Sequence, residues 1–380
     1  MRRVAMVIQR YLPHVGGAEK QLQQLAPRLN DLGFEIHILT RHEAGLARFE
    51  RIEGIPVYRL PASGPKAWAA VMFTLSALWT LLRIRPDVVH AHELLTPASI
   101  AVLFKRIRRR PVLVKILRGG GRGDIFKFKR RPFWKSDLKR MIREVDAFLV
   151  ISQEIDEELS ALHIPREKRI LLPNGVNVVR CLPVSEDQKQ KLRAVLSLPA
   201  QAKIVMYAGR LVPEKRVDHL LKIWDDLRSR FPTAHLLVVG EGEEKDRLVR
   251  MNVDGVRFTG RVPDAVPYLQ ASDLFVLPSS TEGLSNSMLE AMSCGLPVLA
   301  TTVGGAPDVI EHGKSGWLIP PEDVDALQQG LETLLEDQAL RFTLGSNGRQ
   351  RILSNFSLDS VAGHLADLYQ NLLAKTGVTG

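Results

Sequence analysis

Glu282 and Glu290 stand eight residues apart in the stretch PSSTEGLSNSMLEAMSCGLPVLATTVGG (278–305). An apolar run ends at Pro278, and a loop carries Glu282 and Gly283. A helix is expected from about Ser287 to Cys294, stopped by Gly295 and Pro297. Eight residues inside one helix would turn the two side chains about 80° apart at about 100° per residue. With Glu282 in the preceding loop, both carboxylates can instead face one ligand from different ends. Ionised carboxylates accept hydrogen bonds from sugar hydroxyls, and the backbone N–H groups of Leu284 to Ser287 at the helix start suit an anion. One short segment could therefore meet sugar hydroxyls, a phosphate and a ribose. Taken singly, each Glu is a solvated loop or helix-surface residue; the combination is what points to a ligand.

A second group, in YAGRLVPEKRVDHLL (207–221), places Arg210 and Lys215 on either side of a loop before a helix. Two cations there suit a diphosphate, and Arg adds forked, planar hydrogen bonding. Gly16 and Gly17, in PHVGGAEKQLQQLA (13–26), lie between strand and helix. Paired glycines there let backbone approach a ligand closely, or simply make a tight turn. His90 and His92 end the run DVVHAH (87–92) and are expected on opposite faces of a strand, one hydrogen-bonded inside and the other reaching outward. The stretch RGGGRGDIFKFKRRPFWK (118–135) fits an anion-binding loop, a mobile surface loop, or a nucleic-acid or lipid interface. KRIRRR (105–110) reads as a solvated helix end. Neither a G-x-S-x-G elbow nor a GxxxxGK[ST] loop occurs, and GEGEEK (240–245) lacks the third glycine of a dinucleotide fingerprint. The D-x-D at Asp323 and Asp325 reads as a helix cap, and no metal site is inferred.

These groups need a scaffold that brings distant loops to one edge. Short Val/Ile/Leu-rich runs at 4–9, 35–40, 87–92, 111–117 and 147–152 alternate with helical stretches such as 18–29. The pattern restarts at 203–209, 235–240, 256–260, 274–279 and 297–302. That is the βα repeat of a doubly wound parallel sheet, made twice. The turn-rich stretch 170–188 separates the two sets. The expected organisation is a Rossmann-like domain over 1–178, a second over 179–355, and a helix over 356–380 that returns to the first. Ligands are expected at the carboxyl ends of the strands, in a cleft between the domains. The apolar stretch from Ala67 to Leu82, 16 residues long, is short for a membrane span and is read as a packed helix ahead of a membrane-surface one.

Charge divides the 380 residues unevenly. Residues 1–180 hold 32 Lys and Arg against 17 Asp and Glu, a net +15, and residues 181–380 hold 20 against 25, a net −5. A basic first half suits anionic lipid, an acidic acceptor or nucleic acid. With 45% apolar and 25% charged residues, disorder, collagen and coiled coil are excluded as global descriptions. Cys181 and Cys294 are too few for a disulfide framework or a cysteine-rich zinc site and suit a reducing compartment. MRRVAMVIQRYLP reads as a first buried strand and not as a secretory leader.

Taken together, the segments resemble the family 4 retaining glycosyltransferases of the GT-B fold, across nearly the whole chain. In the first half they are PHVGGAEKQLQQLAPRLNDLGFEIHILT, DVVHAHE and LPNGVN. In the second they are GRLVPEK, FTGRV, ASDLFVLPSSTEGLSNSMLEAMSCGLPV and GGAPDVI. The resemblance implies two Rossmann-like domains and retaining transfer of a hexosyl unit from a nucleoside diphosphate sugar, a UDP-sugar ahead of GDP-mannose. The acceptor would be a hydroxyl of a glycan, glycolipid or lipid-linked molecule in cell-envelope polysaccharide synthesis. By the same resemblance Arg210 and Lys215 neutralise the diphosphate and Glu290 binds the ribose. Glu282 positions the donor sugar beside the amides of Gly283, Leu284 and Ser285. Arg261 and Val262 lie near the base, Gly16 and Gly17 near phosphates or acceptor, and His92 beside the sugar. Two departures bear on the acceptor side: Asn177 stands where the family often has Asp, and Arg118-Gly119 where it often has His-Gly. Neither a cofactor beyond the donor, nor a metal, nor nucleic acid is expected. The expected location is the cytoplasm, with the basic first domain resting on the anionic membrane face. A sugar-nucleotide epimerase of the same architecture and a basic nucleic-acid-binding protein are the competing readings.

Overall fold

A computed structural model describes residues 1–14 and 16–375, apart from the Arg122 side chain. Of the expected terminal segment 356–380, residues 376–380 lie outside the described residues. The chain forms two compact units: Met1–Asn174 joined by the segment from Leu358 on, and Gly175–Ser357.

The first unit is built on eight strands: β1 (Arg2–Val7), β2 (Phe34–Arg41), β3 (Phe49–Ile52), β4 (Ile55–Leu60), β5 (Val88–His92), β6 (Val112–Ile116), β7 (Ala147–Val150) and β8 (Arg169–Leu171). Their order is β3-β4-β2-β1-β5-β6-β7-β8, parallel throughout except for the β3–β4 hairpin. β5, β6 and β7 are buried along their whole length. Strands covered on both faces read as unbroken apolar runs, which is why they were legible in the sequence. The edge strands were not. β3 alternates exposed and half-buried residues, and its turn is made by Glu53 and Gly54, both at positive φ. β8 occupies residues assigned above to the linker and pairs with β7.

Helix α1 (Gly17–Asp31) buries Leu22, Leu25 and Leu29. The terminal helix Leu358–Lys375 packs beside it, with Leu358, Val361, Leu365 and Tyr369 in the same core cluster. Arg28 Nε donates to Asp359 Oδ1 at 2.6 Å. The last helix thus completes the first unit, although 183 residues of the second unit, Gly175–Ser357, come before it. Two further helices, α2 (Lys66–Ile84) and α3 (Thr96–Arg108), pack side by side.

The second unit has six parallel strands, β9 (Lys203–Ala208), β10 (Ala234–Val239), β11 (Val256–Gly260), β12 (Leu274–Leu277), β13 (Val298–Thr301) and β14 (Trp317–Ile319), in the order β11-β10-β9-β12-β13-β14. β14, three residues long, was not anticipated. Asp323 caps the helix Val324–Glu336, its Oδ1 accepting from the Ala326 N–H at 2.9 Å, as expected of the D-x-D.

In each sheet the chain reverses direction of winding at one place, between β1 and β5 in the first and between β9 and β12 in the second. Loops leaving such a pair diverge, and the gap between them is the place where this architecture binds ligands. Close strand-end packing defines the edge of the second gap. Gly240, just past β10, has φ +142°, and a Cβ there would collide with the carbonyl oxygen of Gly209. Gly240→Ala is therefore expected to cost about 2 kcal/mol or more. An unchanged urea midpoint would contradict this account of the turn.

Candidate functional site

At the β9–β12 switch point three loops, after β9, β12 and β13, are tied together by side-chain and backbone hydrogen bonds. The Tyr207 hydroxyl donates to the Arg210 carbonyl at 2.9 Å and holds the turn that follows β9. Ser280 N–H donates to the Glu214 carbonyl at 2.9 Å, joining the loop after β9 to the loop after β12. Ser287 Oγ donates to the Ala208 carbonyl at 2.8 Å, fixing the start of the helix Asn286–Ser293 against the end of β9. Gly304 sits at φ +57° against the backbone of Glu282 and Gly283, and the Gly305 N–H donates to the Gly283 carbonyl at 2.6 Å. Only glycine accommodates so close an approach with a left-handed backbone.

On this frame Lys215 Nζ donates to Glu282 Oε1, and Ser279 Oγ donates to the same oxygen at 2.9 Å. The two charged side chains retain only 13% and 12% of their exposure, so the pair lies at the base of the loops, not on their surface. Glu290, one face of the helix further on, is buried. Arg210 is exposed. The helix begins at Asn286, and its N-cap Ser285 accepts from the Met288 N–H at 3.3 Å. Gly283 and Leu284 are buried in the loop before it. Lys215 thus contacts Glu282 in the loop that carries Gly283, Leu284 and Ser285, while Arg210 lies on the same loop as Lys215 and Glu290 on the helix that follows. Arg261 and Val262 follow β11, at the same edge of the sheet but two strands away from β9. Arg261 is exposed and Val262 half-buried. Arg216, beside Lys215, reaches Glu322 at 2.6 Å.

The first unit has its own cluster at the β1–β5 switch point. Gly16 caps α1 and Gly17 opens it, at the end of the segment that follows β1. His90 and His92 do not lie on opposite faces, as expected above. Residues two apart in a strand share a face, and the two rings stack with centroids 4.4 Å apart. His90 Nδ1 meets the Tyr369 hydroxyl at 2.7 Å. Burial, reinforced by the nearby Lys115 charge, lowers the His92 pKa to about 3, so the ring is neutral. Nε2 of each His is buried without a hydrogen-bond partner. An unsatisfied buried polar atom costs about 1–3 kcal/mol, which marks a position retained at the expense of stability.

Sequence reasoning missed two charged members of this cluster. Lys115, on β6 opposite His92, is buried and donates to Asn174 Oδ1 at 3.2 Å; burial lowers its pKa to about 8. A Lys inside the apolar run PVLVKIL was a readable signal. Glu93 follows β5 with φ +92°, a strained conformation for a residue with a Cβ. Burial first, and then the Asp124 charge, raise its pKa to about 8. No spacing in the sequence distinguishes it.

With the geometry in place, the comparisons with known proteins agree. Residues 16–175 match the Glycosyl transferase 4-like domain, and residues 188–351 match Glycosyl transferases group 1. The chain belongs to this family of glycosyltransferases and has its GT-B fold. A GDP-mannose-dependent phosphatidylinositol monomannoside mannosyltransferase of Corynebacterium glutamicum is 31% identical over 63% of this chain and 66% of that protein. The lipopolysaccharide core biosynthesis glycosyltransferase LpsE of Rhizobium meliloti is 28% identical over 94% of this chain and 96% of its own length. Among solved structures, sucrose-phosphate synthase from Thermosynechococcus elongatus superposes with a TM-score of 0.86 at 24% identity, over 99% of this chain and 100% of that one, a likeness of fold.

The raised Glu93 pKa carries a sign. Between about pH 4.5, its ordinary value, and about pH 8, the folded chain holds a proton that the unfolded chain has released. Its contribution to stability therefore falls as pH rises through that window. Glu93→Gln, which cannot ionise, should gain stability relative to the parent between pH 5 and pH 8 in urea titrations. Parallel pH profiles for the two proteins would refute the burial argument.

Proposed function

We propose that this glycosyltransferase moves a hexosyl unit from a nucleoside diphosphate sugar to a hydroxyl of a glycan, glycolipid or lipid-linked acceptor, with retention of the anomeric configuration. The observation that carries the reading is the buried Lys215–Glu282 pair at the switch point of the second sheet, with Arg210 on the same loop as Lys215 and Glu290 on the helix that follows Glu282. In the bond that breaks, negative charge grows on the departing diphosphate while the sugar becomes oxocarbenium-like. Arg210 offers forked donors to that phosphate and Lys215 a point charge. Because the loops are pinned before the donor arrives, little reorganisation is needed when the charge develops. Glu290 takes the ribose hydroxyls, and Glu282 orients the donor sugar beside the backbone of Gly283, Leu284 and Ser285. Arg261 and Val262 are assigned to the base. The neutral His92 ring offers its unpaired Nε2 to a sugar hydroxyl, and Gly16 and Gly17 let phosphate or acceptor approach the start of α1.

Arg210 and Lys215 together can give the leaving group the charge neutralisation that a divalent ion provides elsewhere, so transfer is expected without added metal. The names of the relatives, a mannosyltransferase on phosphatidylinositol mannosides and transferases of lipopolysaccharide core and capsular polysaccharide synthesis, support an acceptor of cell-envelope type. A UDP-sugar is taken ahead of GDP-mannose as donor. The reaction runs in the cytoplasm with the basic first unit against the anionic membrane face.

A ligand that binds only the folded state raises the melting temperature, so a panel of nucleoside diphosphates and their sugars is expected to single out one base. With that donor, nucleoside diphosphate should appear only when acceptor is present, in EDTA as well as without it, and the product linkage should keep the donor configuration. Appearance of an epimerised sugar without acceptor would overturn the reading. Arg210→Ala should lower kcat by about 10²–10³, the scale of losing one preorganised donor. Near-normal turnover at saturating donor would remove Arg210 from its role.

A further inference from the structure

Helix α2 is apolar on both sides. Its inner face, with Ala69, Phe73, Ala77 and Leu81, is buried against the first unit. Its outer face presents Trp68, Val71, Leu75 and Trp79, which are 60%, 48%, 63% and 59% exposed with the whole chain in place. Steps of three and four residues line these up as one stripe. Between Lys66 and Arg83 the helix has no charged residue. A helix on the surface of a water-soluble domain turns polar side chains outward, and this one does the opposite. Its length and hydropathy would suit a membrane span, but one face is already committed to the domain core. The packed helix expected from the sequence is therefore only half packed.

The surroundings say what covers the other half. Tryptophan near each end is suited to the boundary between headgroups and acyl chains, where an apolar ring and a polar N–H are both satisfied. Arg83 and Arg85 follow at the end of the stripe and are exposed. The Arg83 guanidinium lies over the Trp79 ring, 4.7 Å from its centroid, which keeps a cation at the rim of the apolar surface. The neighbouring α3 exposes Ile107 and ends in exposed Arg108 and Arg109. At the C-terminal end of α2 a cavity of about 580 Å³ is lined by Trp79 and Arg83 together with Arg3, Arg48 and Arg59. Glu35 answers Arg3 at 3.0 Å and Glu50 answers Arg59. Arg59 is nevertheless 2% exposed with its Nε lacking a hydrogen-bond partner. An apolar stripe bordered by cations complements an anionic bilayer and not a neutral or cationic partner.

We propose that the outer face of α2 is a docking surface for an anionic phospholipid bilayer, with Trp68, Val71, Leu75 and Trp79 in the interface and Arg83, Arg85, Arg108 and Arg109 against the headgroups. This deepens the membrane part of the proposed function by naming the surface. It is scored without acceptor or turnover, so it holds or fails separately from the donor chemistry.

The test uses the full chain and sucrose-loaded phosphatidylcholine vesicles with or without phosphatidylglycerol. The parent should sediment with the anionic vesicles and stay in solution with the neutral ones. Trp68→Ser/Leu75→Ser/Trp79→Ser should lower the partition by about tenfold or more while keeping the parent melting temperature and nucleotide-induced shift. Arg83→Gln/Arg85→Gln/Arg108→Gln/Arg109→Gln should abolish the preference for phosphatidylglycerol. Should the serine variant not fold, Trp68→Phe/Trp79→Phe serves instead. Brominated lipid in anionic vesicles should quench the tryptophan emission of the parent, and this variant should lose most of that quenching. A parent that ignores anionic vesicles, or a serine variant that sediments as the parent does, would overturn the proposal. So would a parent dimer that the serine variant converts to monomer without any vesicle binding, since the stripe would then be a seam between two copies.

Discussion

The ion pair between Lys215 and Glu282 sits where β9 and β12 diverge, and the candidate donor site depends on that junction. Two charged side chains with so little remaining exposure lose most of their hydration, and each supplies the other with a partner in its place. Ser279 adds a second donor to Glu282, and the backbone link from Ser280 to Glu214 keeps the two loops in register. The same pair defines what an incoming ligand must do. On the proposed reading, a diphosphate would compete with Glu282 for Lys215, and a sugar hydroxyl would compete with Lys215 for Glu282. Donor binding at this junction would then exchange one set of charge-assisted bonds for another, so its net affinity would depend on geometry more than on the number of charges.

The first unit carries its cost in a different form. His90 and His92 each keep a buried ring nitrogen without a partner, Lys115 is a cation inside the sheet, and Glu93 holds a left-handed backbone. Each of these opposes folding by an amount comparable to a good hydrogen bond. The apolar core beneath them compensates. The terminal helix Leu358–Lys375 closes that core through Leu365 and Tyr369, and the Tyr369 hydroxyl meets His90 directly. A segment at the end of the chain thus supports polar groups at the end of β5, so shortening the terminal helix would disturb the histidine cluster as well as the core.

The outer face of α2 belongs to neither site. Its position on the basic unit fits an enzyme whose acceptors are carried on lipid, because a surface that holds the protein at the bilayer raises the local concentration of such acceptors without a contact to each one. On that proposal, the donor chemistry and the docking surface occupy different elements and can change independently.

The alternation of strand and helix and the division into two units were legible in the chain. Buried parallel strands must be apolar along their length, and polar loops must follow them. Local pattern was enough for those. It was not enough for β3, β8 and β14, short strands at sheet edges with mixed residues, nor for β4, which is mostly buried but carries Pro56 and Arg59 within its run. Nor did the pattern show that Lys215 and Glu282, 67 residues apart, are bonded to each other, since only the order of strands brings their loops together. Glu93 looks like any other Glu until burial and Asp124 change its proton affinity. In a helix as uniformly apolar as α2, periodicity has no polar side to mark which face is outside. The chain alone carries the main buried elements and the residue types at their ends. Which side chains are desolvated and which meet follows only from packing, because burial and long-range pairing are not properties of spacing along the chain.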